Sequence, residues 1–406
     1  MESERRSVAI EIASKTAFFI PYAALAGFSL SWLITITSHR FGDDFAVYVR
    51  ALGDTLAGVD PYAPYSVGTG FLNHPFVLVL VRIFYFPDHR FRSTLLWASM
   101  GVAAWIASVL LCKSMLNGVS DQDERRKPVI GQDVGLLIAF LFFAPFVETV
   151  ALGQVNAFAL VTILGSFYLS ERGRDWLAGL GLGLAIVLKT SPILVLVYFL
   201  LVRKRKVFVS GLLSLTLLTA ATALLFSSEV LNGFLVTLGR LSSEIHPSGY
   251  NGSFLAISFR LLSDAGIRNL EVLLPATNKG LLSLLLMSVV YLVWKFPITT
   301  QKQRIWLFAL VLVLMVNFSP LLWYHHIAFL LLPYSLMLFA SPPAYRVLGL
   351  LSLSLVQLER YFEFAIFDFP WPVVGANLIL LTTVLIGFIG IQRRVKLRPI
   401  QHQASI

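Results

Sequence analysis

Cysteine and charge are both scarce in this chain of 406 residues. A single cysteine, Cys112, excludes an intrachain disulfide framework and a metal site built from cysteines. Charged residues make up only 13% of the chain, whereas hydrophobic residues make up 57% and the mean hydropathy is +0.78. These values lie far outside the range of water-soluble proteins. The composition therefore predicts an integral membrane protein surrounded by membrane lipids.

Solenoid-period repeats and low-complexity linkers are also absent from the sequence, so one integral membrane domain is expected over residues 1–406. The net charge of +10 raises the question of nucleic-acid binding. However, the basic residues stand in short runs between apolar segments rather than on a polar domain. No nucleic-acid partner is therefore expected.

Apolar runs long enough to cross or enter a bilayer recur along the chain. They predict an all-α polytopic membrane protein of about twelve transmembrane or re-entrant helices. The runs lie at about 17–37, 93–112, 133–151, 154–170, 176–188, 191–202, 207–226, 280–294, 305–318, 322–340, 344–358 and 371–391. The first run has the length of a span, so it is interpreted as a retained anchor and not as a signal peptide.

Lysine and arginine predict the orientation. With both termini on the cytoplasmic side, 21 of the 32 basic residues fall in the termini and in short cytoplasmic connections. Three large extracytoplasmic loops remain, at 38–92, about 227–279 and 359–370. The first contains a short amphipathic run, 76–86, that is expected to lie along the interface.

The run 176–202 is basic on both flanks, which requires an even number of crossings. It therefore predicts a hairpin with Lys189 at its tip.

Several acidic and amide side chains are candidates for chemistry at the outer face. Asp43 and Asp44 follow the first span, where a catalytic base would meet lipid-borne substrates; as acids near a helix start they are also explained as caps. Glu148 is an ionisable residue near the end of an apolar run, where a functional and an interfacial position are equally compatible with the pattern. Gln154 follows it in the next connection.

Basic side chains supply candidates for binding an anion. Lys189 at the tip of a hairpin requires a partner such as a phosphate, unless it reaches the outer interface by extending its stem. Arg260, which follows Asn251 in the second large loop, is either a phosphate ligand or an interface anchor. His325 and His326 are adjacent, which differs from the i, i+4 spacing of a helical metal site, so hydrogen bonding or phosphate contact is favoured over metal.

Five pieces of sequence, in this order and on the same predicted side, resemble the family 87 glycosyltransferases of the GT-C superfamily. They are Asp44–Tyr48, Gly153–Asn156, Lys189–Pro192, Asn251–Ser253 followed by Arg260, and Ser319–His326. The resemblance extends from about residue 40 to 335. Two features depart from the family pattern: the doublet Asp43-Asp44, and Asn73-His74-Pro75 where relatives often have an aromatic residue before the proline.

The resemblance implies a GT-C-like fold in the bacterial inner membrane and an inverting transfer at the extracytoplasmic side. The implied donor is a polyprenyl-phosphate sugar, commonly mannose, and the implied acceptor is a lipid-linked or envelope glycan. Asp44 is the expected base, with Asp43 as the alternative. Lys189, Arg260 and one or both of His325 and His326 are expected to hold the phosphate. Asn251 and Gln154 are expected to position the sugar or headgroup, and Tyr48 and Glu148 are further expected substrate contacts. No cofactor is implied.

Two other classes of function remain compatible with the residues. A transporter or lipid flippase also has many spans and buried polar groups, but it usually places them near the midplane of related halves. Here the candidates gather toward one side and no half-repeat is present. A scaffold without chemistry would leave function unchanged when Asp44 or His326 is replaced.

Overall fold

The structure is a computed structural model, and it confirms an all-α membrane fold. It describes residues 27, 30, 33, 34, 37–63, 66, 67, 69–117, 140, 143–248, 250–365 and 371–403. Within these ranges the regular elements are α-helices and short 3-10 helices, with no strand. The predicted run 17–37 and the first part of 133–151 lie largely outside the described residues.

The described helices follow one another along the chain in this order. They are α1 (Asp43–Leu56), α2 (Phe76–Phe84), α3 (Arg90–Asn117), α4 (Ala144–Leu152), α5 (Asn156–Glu171), α6 (Asp175–Leu188), α7 (Ile193–Leu201), α8 (Arg205–Phe226), α9 (Ser228–Ser243), α10 (Phe254–Asp264), α11 (Leu270–Lys295), α12 (Gln301–Asn317), α13 (Leu331–Phe339), α14 (Pro343–Ala365) and α15 (Trp371–Gln403). Two 3-10 helices, Pro87–His89 and Tyr324–Leu330, precede α3 and α13.

Four helices of the described chain are long and apolar enough to cross a membrane. They span Pro87–Asn117, Arg205–Phe226, Leu270–Lys295 and Pro372–Gln392. The total of about twelve crossing or re-entrant helices therefore stays a prediction. The run predicted at 322–340 differs from a single α-helix, because its first part, Tyr324–Leu330, is a 3-10 helix. Three residues per turn place successive side chains of that segment about 120° apart.

The hairpin predicted over 176–202 is present. α6 ends at Leu188 and α7 begins at Ile193, with Lys189 in an extended conformation between them. Lys204, just after α7, donates to Asp175 at the start of α6 over 3.2 Å and to the Ser170 carbonyl over 2.9 Å. These contacts bring the two ends of the hairpin together, so Lys189 lies at its opposite end.

Small residues let α6 pack closely against α8. Ser210 and Ser214 of α8 face Gly179 and Gly183 of α6, where a larger side chain would overlap them. Such small-residue contacts are typical of helix pairs in membranes, where van der Waals packing replaces the hydrophobic effect. The hairpin is thereby packed against α8, a helix long and apolar enough to cross a membrane.

Ion pairs mark one end of the central helices. Arg304 near the start of α12 donates two bonds of 2.8 Å to both carboxylate oxygens of Glu171, at the end of α5. α5 and α12 therefore run in opposite directions, and Lys204 with Asp175 lies near this same end. The start of α5, the end of α12 and Lys189 consequently share the other end, and the candidate site lies there.

Candidate functional site

Asp44 and Gln154 form the centre of the candidate site. Asp44 lies in the first turn of α1 and Gln154 in the turn between α4 and α5, 110 residues later. Gln154 Nε2 donates to Asp44 Oδ2 over 2.6 Å, and its Oε1 accepts from the Tyr48 hydroxyl over 3.0 Å. Burial, and then the charge of Asp44, raise the pKa of Tyr48, so its hydroxyl stays protonated and donates. The chain Tyr48–Gln154–Asp44 fixes the orientation of the half-buried carboxylate.

A glycine turn brings Gln154 to this position. Gly153 ends α4 with φ of +76°, and a Cβ there would lie 2.7 Å from the Cβ of Phe45. Glycine is therefore needed both for the backbone conformation and for the close approach of α1. The Gly153 carbonyl accepts from Trp97 Nε1 over 2.9 Å, which anchors the turn to α3.

Lys189 and His326 form the second half of the site. Lys189 Nζ lies 2.8 Å from His326 Nε2, while His326 Nδ1 lies 3.1 Å from the Leu321 carbonyl. These partners fit a neutral imidazole that donates from Nδ1 and accepts the ammonium proton at Nε2. Asp44 lies within electrostatic range of Lys189. A carboxylate and an ammonium group therefore occupy the same site.

His325, next to His326, contacts residues of α4 and α5. The two imidazole planes stand at 87°, and His325 Nδ1 lies 3.4 Å from Glu148 Oε1, with both side chains buried. Thr149 Oγ1 and Asn156 Nδ2 each donate to the His325 carbonyl over 3.2 Å. These contacts hold the 3-10 helix in place. In the described part of the chain, no three His, Cys, Asp or Glu side chains are grouped to hold a metal ion.

The two adjacent aspartates are separated by the fold. Asp43 is exposed and its Oδ2 lies 3.2 Å from Arg40 Nε in an i, i+3 ion pair at the surface. Asp44 instead turns toward Gln154 and Lys189. The geometry thus brings Asp44, and not Asp43, into the cluster.

Asn251 and Arg260 join the second outer loop to the segment before the histidines. Asn251 is fully buried; its Nδ2 donates to the carbonyls of His246 and Pro320, and its Oδ1 accepts from the amides of Ser253 and Leu322. These distances lie between 2.9 and 3.1 Å. Arg260 donates to the carbonyls of Ser248 and Asn251 over 3.1 and 3.0 Å. Asn251 thus binds backbone groups on both sides of Leu321, the contact of His326, whereas Arg260 binds the backbone of the loop that carries Asn251.

Replacing Asn251 by alanine is expected to destabilise the protein. Two amides and two carbonyls would lose their partner inside the structure, and each buried unsatisfied group costs about 1–3 kcal/mol. We expect a lower Tm in detergent, with donor affinity of the folded fraction close to wild type. Ser242→Ala, on an exposed part of α9, is the control. Normal Tm with weakened donor binding would instead make Asn251 a substrate contact.

Sequence reasoning did not single out Thr149 or Trp97, and it named Asn156 only as the last residue of the Gly153–Asn156 motif, with no role. All three side chains bind backbone carbonyls of distant segments. Asn156 and Thr149 stand beside the predicted residues Gln154 and Glu148, which is the only signal that the sequence offers. The bonds to the carbonyls of His325 and Gly153 depend on tertiary contacts alone.

The fold and the site define an all-helical membrane protein with a carboxylate and an ammonium group at one end of its central helices. Residues 71–321 match the model of Glycosyltransferase family 87, more than half of the chain. The chain belongs to glycosyltransferase family 87, and the resemblance seen in the sequence is confirmed. The match includes Gln154, Lys189, Asn251 and Arg260 and begins after Asp44.

A relative of known activity agrees with the family match. The chain is 25% identical over 324 residues to the polyprenol-phosphate-mannose-dependent alpha-(1-2)-phosphatidylinositol pentamannoside mannosyltransferase of Mycobacterium tuberculosis (strain CDC 1551 / Oshkosh). The aligned part covers 75% of this chain and 70% of that protein. The protein is accordingly a membrane-bound glycosyltransferase.

Proposed function

We propose that the protein transfers mannose, with inversion, from a polyprenyl-phosphate donor to a lipid-linked or envelope-glycan acceptor. The observation that carries the proposal is the presence in one site of Asp44, oriented by Gln154, and Lys189, held by His326. A base and a cation are the two groups that this reaction requires. The donor and the sugar agree with the name of the mycobacterial relative.

Asp44 acts as the general base. Its carboxylate takes the proton of the acceptor hydroxyl while the acceptor oxygen forms a bond to C1 of the sugar. The bond between C1 and the phosphate oxygen breaks, and its electron pair leaves with the polyprenyl phosphate. This leaving group is already an anion of low basicity, so no general acid is needed. One carboxylate that activates the acceptor, with no carboxylate nucleophile, gives inversion.

Lys189 stabilises the departing phosphate. Its ammonium group has three N–H donors, and the bond to His326 uses one of them. The neutral His326 orients the ammonium without competing for it as an anion would. As charge grows on the leaving phosphate, the interaction with Lys189 strengthens, which is the requirement for lowering the barrier. Asn251 positions the segment that carries His326, and Arg260 binds the backbone of the loop that carries Asn251.

The site lies at the extracytoplasmic face of the inner membrane in this proposal. Arg172, Arg174 and the basic run 203–206 belong to the opposite end of the central helices, near the Lys204–Asp175 and Arg304–Glu171 pairs. Basic connections are retained on the cytoplasmic side. Both termini are then cytoplasmic, and the donor is used on the outer leaflet.

A transfer assay tests this function. Purified protein in nanodiscs is incubated with radiolabelled polyprenyl-phosphate mannose and a bacterial membrane lipid extract, and label in a new lipid is measured. We expect transfer by wild type. Transfer only from another polyprenyl-phosphate sugar would correct the sugar alone. Failure across a panel of donors and acceptors, together with donor movement across the bilayer in vesicles, would instead support the flippase.

A further inference from the structure

An open cleft of about 830 Å³ lies outside the Asp44 site, between the segment after α1 and helix α9. Asp60 and Tyr62 line it from the first segment, and Glu229, Asn232, Thr237 and Arg240 line it from α9. The volume is in the range of small-molecule binding sites. No role assigned above to the Asp44 site uses these residues.

Helical spacing explains why α9 contributes so many groups to the cleft. Glu229, Asn232, Val236 and Arg240 recur at intervals of three and four residues, so they share one face of the helix. Asp60 approaches this face so closely that a Cβ at Gly233 would lie 2.7 Å from its Oδ1. The polar face of α9 therefore lies against the segment after α1, and the cleft lies between the two.

Aromatic packing makes the floor of the cleft firm. The Tyr62 ring is buried, lies 5.2 Å from the Phe71 ring and 6.1 Å from that of Phe234, and its hydroxyl donates to the Asn73 carbonyl over 2.7 Å. The His74 ring packs on the Phe234 ring, with 4.9 Å between the ring centroids. Burial lowers the pKa of His74 to about 4, so the imidazole is neutral at pH 7 and adds no charge beneath the cleft.

The chemistry of the lining fits a neutral, hydroxyl-rich ligand. Asp60 and Glu229 contribute carboxylates to the lining, Arg240 a guanidinium group and Asn232 an amide. Pairs of such groups match the neighbouring hydroxyls of a sugar. Two carboxylates against one guanidinium disfavour a phosphate, so the donor headgroup is not the expected occupant.

The cleft is connected to the catalytic centre through packed rings. Phe71, which supports Tyr62, lies 6.1 Å from the ring of Tyr48. Tyr48 in turn donates to Gln154, the residue that orients Asp44. An occupant of the cleft would therefore lie along the same wall of the protein as the base.

We propose that this cleft binds the glycan part of the acceptor, at sugar units beyond the one that carries the reacting hydroxyl. The proposal rests on the transfer reaction proposed above and assigns the acceptor a carbohydrate of more than one unit. Binding at distant sugar units supplies affinity and orientation that the reacting hydroxyl alone cannot provide.

The kinetic test uses the double variant Asp60→Asn/Asn232→Ala. Asn at 60 keeps an oxygen for the Tyr62 amide, so the turn is preserved while the charge is lost. We expect the KM for the acceptor to rise by about tenfold and the KM for the donor to change by less than about twofold. Asp88→Asn, the same change at an exposed carboxylate away from the cleft, is the control and should match wild type. An unchanged acceptor KM, or an equal rise in both KM values, would overturn the proposal.

Direct binding separates failure of the cleft from failure of the reaction. Wild type and the double variant in nanodiscs are titrated with mannobiose, mannotriose and corresponding glucose oligosaccharides, and saturation transfer to the sugar protons is measured. We expect signal with wild type for at least one oligosaccharide and a weaker signal with the variant, whether or not transfer from the polyprenyl donor is seen. No signal from any of them, or equal signal from both proteins, would show that the cleft does not bind glycan.

Discussion

Asp44→Asn is expected to reduce sugar transfer by about 10²–10⁴-fold, the usual contribution of a general base. The amide keeps the size of the carboxylate, and its oxygen still accepts from Gln154 Nε2, so the site retains its geometry. What it loses is the ability to take the acceptor proton. The effect should appear in kcat, with donor KM and Tm close to wild type, in the labelled-lipid assay.

Asp43→Asn supplies the matched comparison for Asp44→Asn. It makes the same chemical change one residue earlier, at an exposed side chain that pairs with Arg40. An exposed ion pair of this kind contributes little to stability, and we expect transfer to stay within about twofold of wild type. Loss of transfer in Asp43→Asn with normal transfer in Asp44→Asn would reverse the assignment of the base.

The sequence was sufficient to predict the parts of the site that follow from local chemistry. Lys189 was predicted at a hairpin tip because Arg172, Arg174 and the run 203–206 carry charge on both flanks, and the hairpin is present. Asp44 and Gln154 were predicted as outer-face polar residues next to apolar runs. The hairpin needs only the cost of placing charge in lipid. The roles of Asp44 and Gln154 came from the resemblance and stay predictions.

Partners within the site were not predictable in the same way. Residues 110 positions apart, Asp44 and Gln154, meet because Gly153 allows α1 to approach the turn. The sequence could not choose between Asp43 and Asp44, since the choice depends on the direction in which α1 leaves Gly42. Asn251 was predicted as a substrate contact, whereas its amide group binds four backbone groups. Side chains that bind a distant backbone leave no pattern of residue types.

The cleft beside α9 was also not predictable from the sequence, because two distant segments form it. Gly58–Tyr62 alone is compatible with a folded turn or a sugar-binding surface, because turn residues and aromatic residues serve both. The glycan-binding cleft proposed above depends on the position of α9 against Asp60. That contact joins two distant segments, so neither segment alone predicts it.

Lys189→Met is expected to weaken donor use by about 10–100-fold in kcat/KM, the worth of a charge-assisted hydrogen bond to phosphate. Methionine has similar length and no charge, so packing at the hairpin tip is kept. The Tm should be unchanged or higher, because Lys189 bonds to a neutral imidazole and its ammonium group is costly to desolvate. Lower kcat/KM with unchanged or higher Tm would indicate that Lys189 binds the donor phosphate and does not stabilise the fold.

Lys204→Met, at the other end of the same hairpin, should give the opposite result. Lys204 bonds to Asp175 and to the Ser170 carbonyl, and its loss is expected to lower stability by about 1–2 kcal/mol. Donor kinetics of the folded protein should match wild type, since this end carries no part of the site. If Lys189→Met lowers Tm as Lys204→Met does while kcat/KM is retained, Lys189 is a structural lysine and the phosphate must be held elsewhere. Two lysines on one hairpin thus separate the contribution of charge to folding from its contribution to catalysis.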